Sequence, residues 1–389
     1  MSKLYRIIYK TGVILLCLIL FIYSLVEART LLYPIVIAVL FSYLLYPVGK
    51  WLEKHGCHRI LANCIIISGC FSVLAGGAYI LYSESTLLIR SLPGLNEKAQ
   101  RNIDAVTETI SSQIGVSTHE FKDWANARLA GVSENSDLFM DYIFPSTAGT
   151  IMALAILPVY IFLFLYYRNK FYNFLIMIWP VKKKSRMHHT IEEVSQVTRR
   201  YMGGVFTVVL ILCVINSLGL YLIGVQFALL LGIISALCNF VPYFGVWIGA
   251  VFPLSMAIFT GDSAHQTLWV LLMYVLVDLT ENNILTPNIT GGSVQVNPLV
   301  TIVGIIAAGM VWGIPGMFVI IPLLGILKIV LENDPATQPI AFLIGTEGTA
   351  KHSITLRKLK AFFTRRNNRR RDDDKSDAIP NESSGTRTE

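Results

Sequence analysis

The stretch "TLWVLLMYVLVDLTENNILTPNITGGSVQVNPL" (267–299) begins as an oily run and turns abruptly polar. Asp278 and Glu281 bring two carboxylates, and Asn282 and Asn283 bring amides. Pro287 and the pair Gly291-Gly292 then break any regular helix. Behind it lies a second oily run, "VTIVGIIAAGMVWGIPGMFVIIPLLGILKIVL" (300–331). Asp278 comes eleven residues after Thr267. At ~1.5 Å per residue that is about 16 Å along a helix, near the middle of a ~30 Å hydrocarbon core. The stretch therefore reads as polar chemistry set within a membrane span.

The rest of the chain agrees. Of 389 residues, 54% are apolar and only 15% charged, well below the ~25% charged of an ordinary soluble protein. Several apolar runs approach the ~20 residues that a spanning helix needs. Barrel strands are short and alternate, so a β-barrel is excluded. The expected fold is an all-α polytopic membrane protein. It has about eight membrane segments, two of them broken re-entrant hairpins, and a small external helical insert.

Spans are expected at 12–28, 31–49, 60–82, 149–167, 204–224 and 267–286. Two longer runs, 226–259 and 298–331, are too long for one simple span and too short for two. Each is interrupted near its middle, by "NFVPYFG" (239–245) and by "GIPG" (313–316). Each then reads as a hairpin with its turn at the break, or as one kinked span. Pro242, Gly245, Pro287, Gly313, Pro315 and Gly316 are the candidate hinges or hairpin tips. A span followed by a broken run occurs twice, which hints at two units of inverted topology with a site between them.

Charge orients the chain. Residues 168–200 carry eight Lys/Arg against two Glu, and 351–371 carry nine Lys/Arg and no acid. The start has Lys3, Arg6 and Lys10, whereas 83–147 is acidic, with nine Asp/Glu against five Lys/Arg. By the positive-inside rule both termini are cytoplasmic and 83–147 is external. The expected organisation is a three-span unit (1–82), an external helical segment (83–147), and a fourth span with a basic cytoplasmic linker helix (148–203). A transport core with two span-plus-hairpin units (204–335) follows, then a cytoplasmic basic tail with a disordered end (336–389). In the external segment Leu95, Ala99, Ile103, Val106, Ile110 and Ile114 recur at helical spacing. In the tail, "LRKLKAFFTRR" (356–366) can bind anionic lipid through Arg357, Lys358, Lys360, Arg365 and Arg366, or can serve only as a topological anchor. The first apolar run lacks a small-residue cleavage site and reads as a retained span.

Several chemistries are set aside. The six cysteines lie in oily runs or, for Cys57, in a short loop, so they form no disulfide framework. "HGCHR" (55–59) lacks the ligands of a metal site. No metal, cofactor or nucleic-acid partner is expected. No P-loop is present, so ATP is not the driver within this chain. No nucleophile or further acid–base cluster suggests an enzyme.

At "NFVPYFG", "ENNILTPNITGGSVQVNPL" and "GIPGMFVIIP" the chain resembles the autoinducer-2 exporter family, also called PerM-type permeases. "FSYLLYPVGKWLEK" (41–54) is similar to the family's second-span ending. The resemblance implies a homo-oligomeric protein of the bacterial inner membrane. It implies a secondary transporter that exports a small polar solute, such as an autoinducer-2-like signal, or exchanges Na⁺ or Li⁺ for H⁺. A non-transporting scaffold and a passive channel are the alternatives. The substrate or ion path is expected at Asp278, Glu281, Asn282, Asn283, Asn239 and Tyr243, of which Glu281 and Asn283 match the family pattern. Buried acids are costly, by roughly 2.5–3.5 kcal/mol on insertion scales, and usually face an interior cavity. The bland reading is a short, shifted span with both acids at the interface. Two departures stand out: Gly204-Val205 replaces a common Gly-Gln, and Asn297-Pro298 a common His-Pro.

Overall fold

The long oily runs are helical, and the described residues are almost entirely α. The computed structural model describes residues 3–114, 123, 148–180, 184–261, 264–291 and 294–347. Residues Met1–Ile344 form one compact unit; of 345–389 only 345–347 are described.

The helices are α1 (Lys3–Glu27), α2 (Arg29–Lys54), α3 (Arg59–Ile114), α4 (Ala148–Tyr166), α5 (Arg168–Ile178) and α6 (Lys184–Ile223). Then come α7 (Ala228–Cys238), α8 (Gly245–Thr260), α9 (Ala264–Thr280), a π-helical turn (Glu281–Leu285), α10 (Thr286–Thr290), α11 (Pro298–Trp312), α12 (Ile314–Glu332) and α13 (Gln338–Ile344). Among the described residues, six helices are long and apolar enough to cross a membrane, and four shorter apolar helices accompany them.

The surface confirms the solvent. Leu222, Met310, Val73 and Leu268 project outward, while Asn63, Ser85, Asn216, Ser235 and Glu281 are buried. Apolar groups outside and polar groups inside is the distribution expected of helices surrounded by lipid.

Both long runs break where proline and glycine interrupt them. α7 ends at Cys238 and α8 starts at Gly245; α11 ends at Trp312 and α12 starts at Ile314. Each pair packs antiparallel. Gly249 lies against Ser235 and Gly245 against Asn239, so residue numbers rise on one helix as they fall on the other. In the second pair Gly309 meets Met317, and Gly304 meets Ile320 and Leu324. The runs are therefore helix–turn–helix pairs rather than single kinked helices. Gly313 makes the second turn with φ 65° and ψ −145°, a conformation that only glycine adopts without strain.

Two boundaries expected from composition are crossed by continuous helices. α3 runs for 56 residues, about 84 Å, from the third span straight into the acidic segment. Leu95, Ala99 and Ile103 are buried. Asn102 Nδ2 donates to Phe259 O at 3.1 Å and to Gly261 O at 2.9 Å. It thereby satisfies carbonyls at the α8 C-terminus that have no partner within their own helix. The side chains of Val106, Ile110 and Ile114 lie outside the described residues. Likewise α6 runs 40 residues from the basic linker through the fifth span. No proline interrupts it, so hydropathy changes along it without a change of backbone.

α6 is the hub. Its C-terminal half packs with α7, α8 and α9 around Leu220, Leu231, Ala250, Val270 and Tyr274. Its middle packs with α2, α11 and α12 around Leu40, Met202, Ile305, Phe318 and Val319. A third cluster joins α2, α3 and α4 through Ala38, Leu45, Ile66, Ile161 and Leu165.

Candidate functional site

The opening stretch forms the π-turn, and the cause lies in its own residues. Pro287 has no N–H to donate, so the regular ladder fails one turn earlier. The backbone instead widens, and the Thr286 N–H bonds to Glu281 O, five residues back. Single π-turns inside helices recur at functional sites.

Glu281, the first residue of this turn, points inward and is 8% exposed. Val270, Tyr274, Val277 and Glu281 form one buried stripe, at the spacing of a helical face. Glu281 Oε1 accepts from Asn239 Nδ2 at 2.6 Å. Its other oxygen, Oε2, is sealed from solvent without a hydrogen-bond partner. Asn239 sits at the turn between α7 and α8, which brings that tip onto the π-turn.

The two side chains border a cavity of about 310 Å³. Its wall is built from Tyr201, Val205 and Val208 of α6, Asn239, Pro242 and Tyr243 of the first turn, and Glu281 and Asn282 of the π-turn. Thr286 and Thr290 of α10, Val294 of the segment that follows, and Thr301 of α11 close it. Tyr243 has φ 68°, a left-handed conformation costly for a bulky residue, and its side chain remains exposed. Hydroxyls, two amides and one carboxylate thus converge in an apolar frame. Such a set can hold a hydrated cation, exchange a proton, or hydrogen-bond a small polar solute.

Four of the six residues expected on the path line this cavity: Asn239, Tyr243, Glu281 and Asn282. Asp278 and Asn283 do not. Asp278 lies about 60° round the helix from Glu281, off the buried stripe, and its Oδ1 accepts from Asn282 Nδ2 at 2.9 Å. Asn283 turns back on its own helix and donates to Leu279 O at 2.8 Å. Of the six candidate hinge residues, Pro242 lines the cavity, and Gly245 opens α8 where a Cβ would meet Asn239 Cα at 2.4 Å. Pro287 follows the π-turn, and Gly313, Pro315 and Gly316 form the second tip away from this cavity. Arg357, Lys358, Lys360, Arg365 and Arg366 lie outside the described residues.

The two departures from the family pattern also have places. Val205 lines the cavity, where a glutamine would add an amide. Asn297 caps α11, its Oδ1 accepting from Leu299 N at 2.9 Å.

Sequence reasoning overlooked the cavity's hydroxyls at Tyr201, Thr286, Thr290 and Thr301. It also overlooked a column of buried polar groups that continues from Asn239. Ser235 lies one turn before it, receives Asn216 Nδ2 at 3.3 Å, and faces the Tyr274 hydroxyl. Ser217 packs against Gly232 on the same helix pair. Tyr274 Oη, Asn216 Oδ1 and Ser217 Oγ are buried without a well-formed hydrogen bond. Each such group costs about 1–3 kcal/mol unless water or an ion meets it. The seven-residue spacing from Tyr274 to Glu281, two helical turns, was the one signal available.

Among the described residues no cluster of three potential metal ligands occurs, and all six cysteines are free.

Comparison with known proteins places this geometry in context. The family model described as "AI-2E family transporter" matches residues 15–335. YrrI of Bacillus subtilis (strain 168) is 28% identical over 318 residues, covering 78% of this chain and 86% of that protein. The AI-2 transport protein TqsA of Escherichia coli (strain K12) is 25% identical over 351 residues, covering 85% and 92%. PerM of the same strain is 22% identical over 328 residues, covering 79% and 88%.

Proposed function

The chain belongs to the AI-2E transporter family, and on that premise we propose that it is a secondary transporter working through the Glu281 cavity. It carries a small polar solute outward, an autoinducer-2-like signal or another metabolite, or it exchanges Na⁺ or Li⁺ for H⁺. The observation that carries this reading is Glu281 itself. It is a carboxylate buried among apolar helices, half satisfied by Asn239 and half unsatisfied, on the wall of a cavity. Such a group is costly to keep in a membrane and is retained where it binds or relays charge.

In this mechanism Glu281 is the exchanging group. With one oxygen fixed by Asn239, the other is free to take a proton or to coordinate a cation. The threonine and tyrosine hydroxyls supply the remaining oxygen contacts. Charge neutralisation at Glu281 weakens its hold on the Asn239 tip and favours movement of the α7–α8 pair. Pro242 and Gly245 act as the hinge of that tip. Gly313, Pro315 and Gly316 act at the α11–α12 tip, and Pro287 allows the π-turn to flex. Asp278 and Asn283 support the π-turn from outside the cavity.

The membrane arrangement that suits this mechanism has eight segments, with α7–α8 and α11–α12 as re-entrant hairpins. Their lengths of 11, 16, 15 and 19 residues support it for the shorter members. The repeated order of long helix and antiparallel pair supports two units of inverted topology. Both termini then lie in the cytoplasm of a bacterial inner-membrane protein, the basic tail meets anionic lipid, and copies assemble as a homo-oligomer.

The test is flux in proteoliposomes under imposed proton and Na⁺ gradients, with candidate solutes inside. Gradient-dependent movement that Glu281→Gln abolishes is the expected result. Wild-type protein that moves neither ions nor solutes under any gradient would exclude the transporter reading.

A further inference from the structure

A second cavity, of about 560 Å³, lies between α2, α4, α5 and α6. It shares none of its lining with the Glu281 cavity. Its defining feature is a ring surrounded by cations. Arg168 Cζ lies 5.2 Å from the Tyr46 ring centre, Arg199 Cζ 5.3 Å and Lys50 Nζ 5.9 Å. One aromatic ring stabilises a nearby cation by about 0.5–2 kcal/mol, but three like charges around it repel one another.

The local acids do not neutralise the group. Glu53 ion-pairs with Arg168 and is shared with Arg59 at 3.7 Å. Glu192 lines the cavity, and among the described residues it pairs with no cation there. Lys50, Arg59, Arg168 and Arg199 against Glu53 and Glu192 leave two positive charges in excess. Arg199 Nε is held by Ser195 O at 3.1 Å, so its terminal nitrogens stay free to donate. Arg168 Nη1 is sealed from solvent and has no acceptor.

We infer that the Tyr46 pocket binds a phosphate-bearing anion, with Lys50, Arg168 and Arg199 as its donors. Arginine forks and a lysine ammonium suit the oxygens of a phosphate mono- or diester. The setting favours the headgroup of an anionic phospholipid over free phosphate. α5 has no buried residue, and Phe174, Leu175, Met177 and Ile178 project from it. That is how a helix lying in the membrane interface presents itself. Phe164, Leu165 and Leu175 line the apolar part of the same cavity and can receive the start of an acyl chain. Basic pockets between spans at a charged membrane face commonly take such headgroups. A lipid seated here would tie the α4–α5 corner to the start of the hub helix α6.

The experiment is native mass spectrometry of the delipidated full-length protein, titrated with phosphatidylglycerol, phosphatidylcholine or inorganic phosphate. Wild type should retain phosphatidylglycerol in preference to phosphatidylcholine. The Lys50→Gln/Arg199→Gln protein should bind phosphatidylglycerol about thirtyfold more weakly. Lys50 is exposed, so Lys50→Gln alone tests the idea without burdening the fold, with about a fivefold loss expected. Any contribution of the basic tail is the same in all three proteins and cancels. If millimolar inorganic phosphate binds wild type, displaces the lipid and fails on the variants, the anion site stands and free phosphate is its occupant. Phosphatidylglycerol and phosphate binding unchanged in both variants would overturn the proposal.

Discussion

Glu281 Oε1 and Asn239 Nδ2 stand 2.6 Å apart although 42 residues separate them in the chain. The contact joins the π-turn to the tip of the α7–α8 pair. Because its other oxygen is buried without a partner, the carboxylate holds the tip with half its capacity; in the proposed mechanism the other half meets a mobile ligand.

Replacing Glu281 by Gln keeps the shape and removes the charge. Transport should fall at least tenfold (about 1.4 kcal/mol of activation), while the thermal midpoint of the purified protein changes little. Glu281→Ala instead strands Asn239 and should destabilise by about 1–3 kcal/mol. Flux assays beside thermal melts separate the two effects.

Asp278 was expected on the path but does not line the cavity. Asp278→Asn preserves a side-chain acceptor for Asn282 and should leave flux within about twofold of wild type, a difference of ~0.4 kcal/mol. A loss as large as that of Glu281→Gln would mean that the two carboxylates act as a pair.

Tyr274→Phe removes a buried hydroxyl without a well-formed hydrogen bond. Deleting such a group should be neutral or slightly stabilising, within about 1 kcal/mol. If the column from Asn239 through Ser235 to Tyr274 carries protons or water, transport should nevertheless slow severalfold. Proton flux compared with solute flux shows which species uses the column.

Gly313→Ala forces a Cβ into a conformation with φ 65° and ψ −145°. The expected cost is about 1–3 kcal/mol, read as a lower thermal midpoint and faster hydrogen exchange around the α11–α12 turn.

Asn102→Ala removes both side-chain donors from Phe259 O and Gly261 O. Each bond is worth about 0.5–1.5 kcal/mol. Exchange should rise at the α8 C-terminus and stay unchanged around Glu281, because the long arm of α3 is tethered far from the cavity.

The class of the protein was legible in composition and run length alone, because a bilayer demands long apolar helices. The turns near Pro242 and Gly313 were legible for a local reason: proline and glycine break helices wherever they stand. Glu281, Asn239, Tyr243 and Asn282 could be chosen as polar residues in oily surroundings. The continuity of α3 and α6 was not legible, since hydropathy changes along those helices while helix propensity does not. Nor could sequence separate Glu281 from Asp278, because both follow the same apolar run three residues apart and only the stripe packed on α6 and α7 decides which one turns inward. Sequence by itself determined the solvent, the helices and their breaks, all of which follow from short-range chemistry. Only the tertiary structure decided which hydroxyls meet the carboxylate, and that Lys50, Arg168 and Arg199 gather on Tyr46. Those neighbours come from helices far apart in the chain, and it is packing that brings them together.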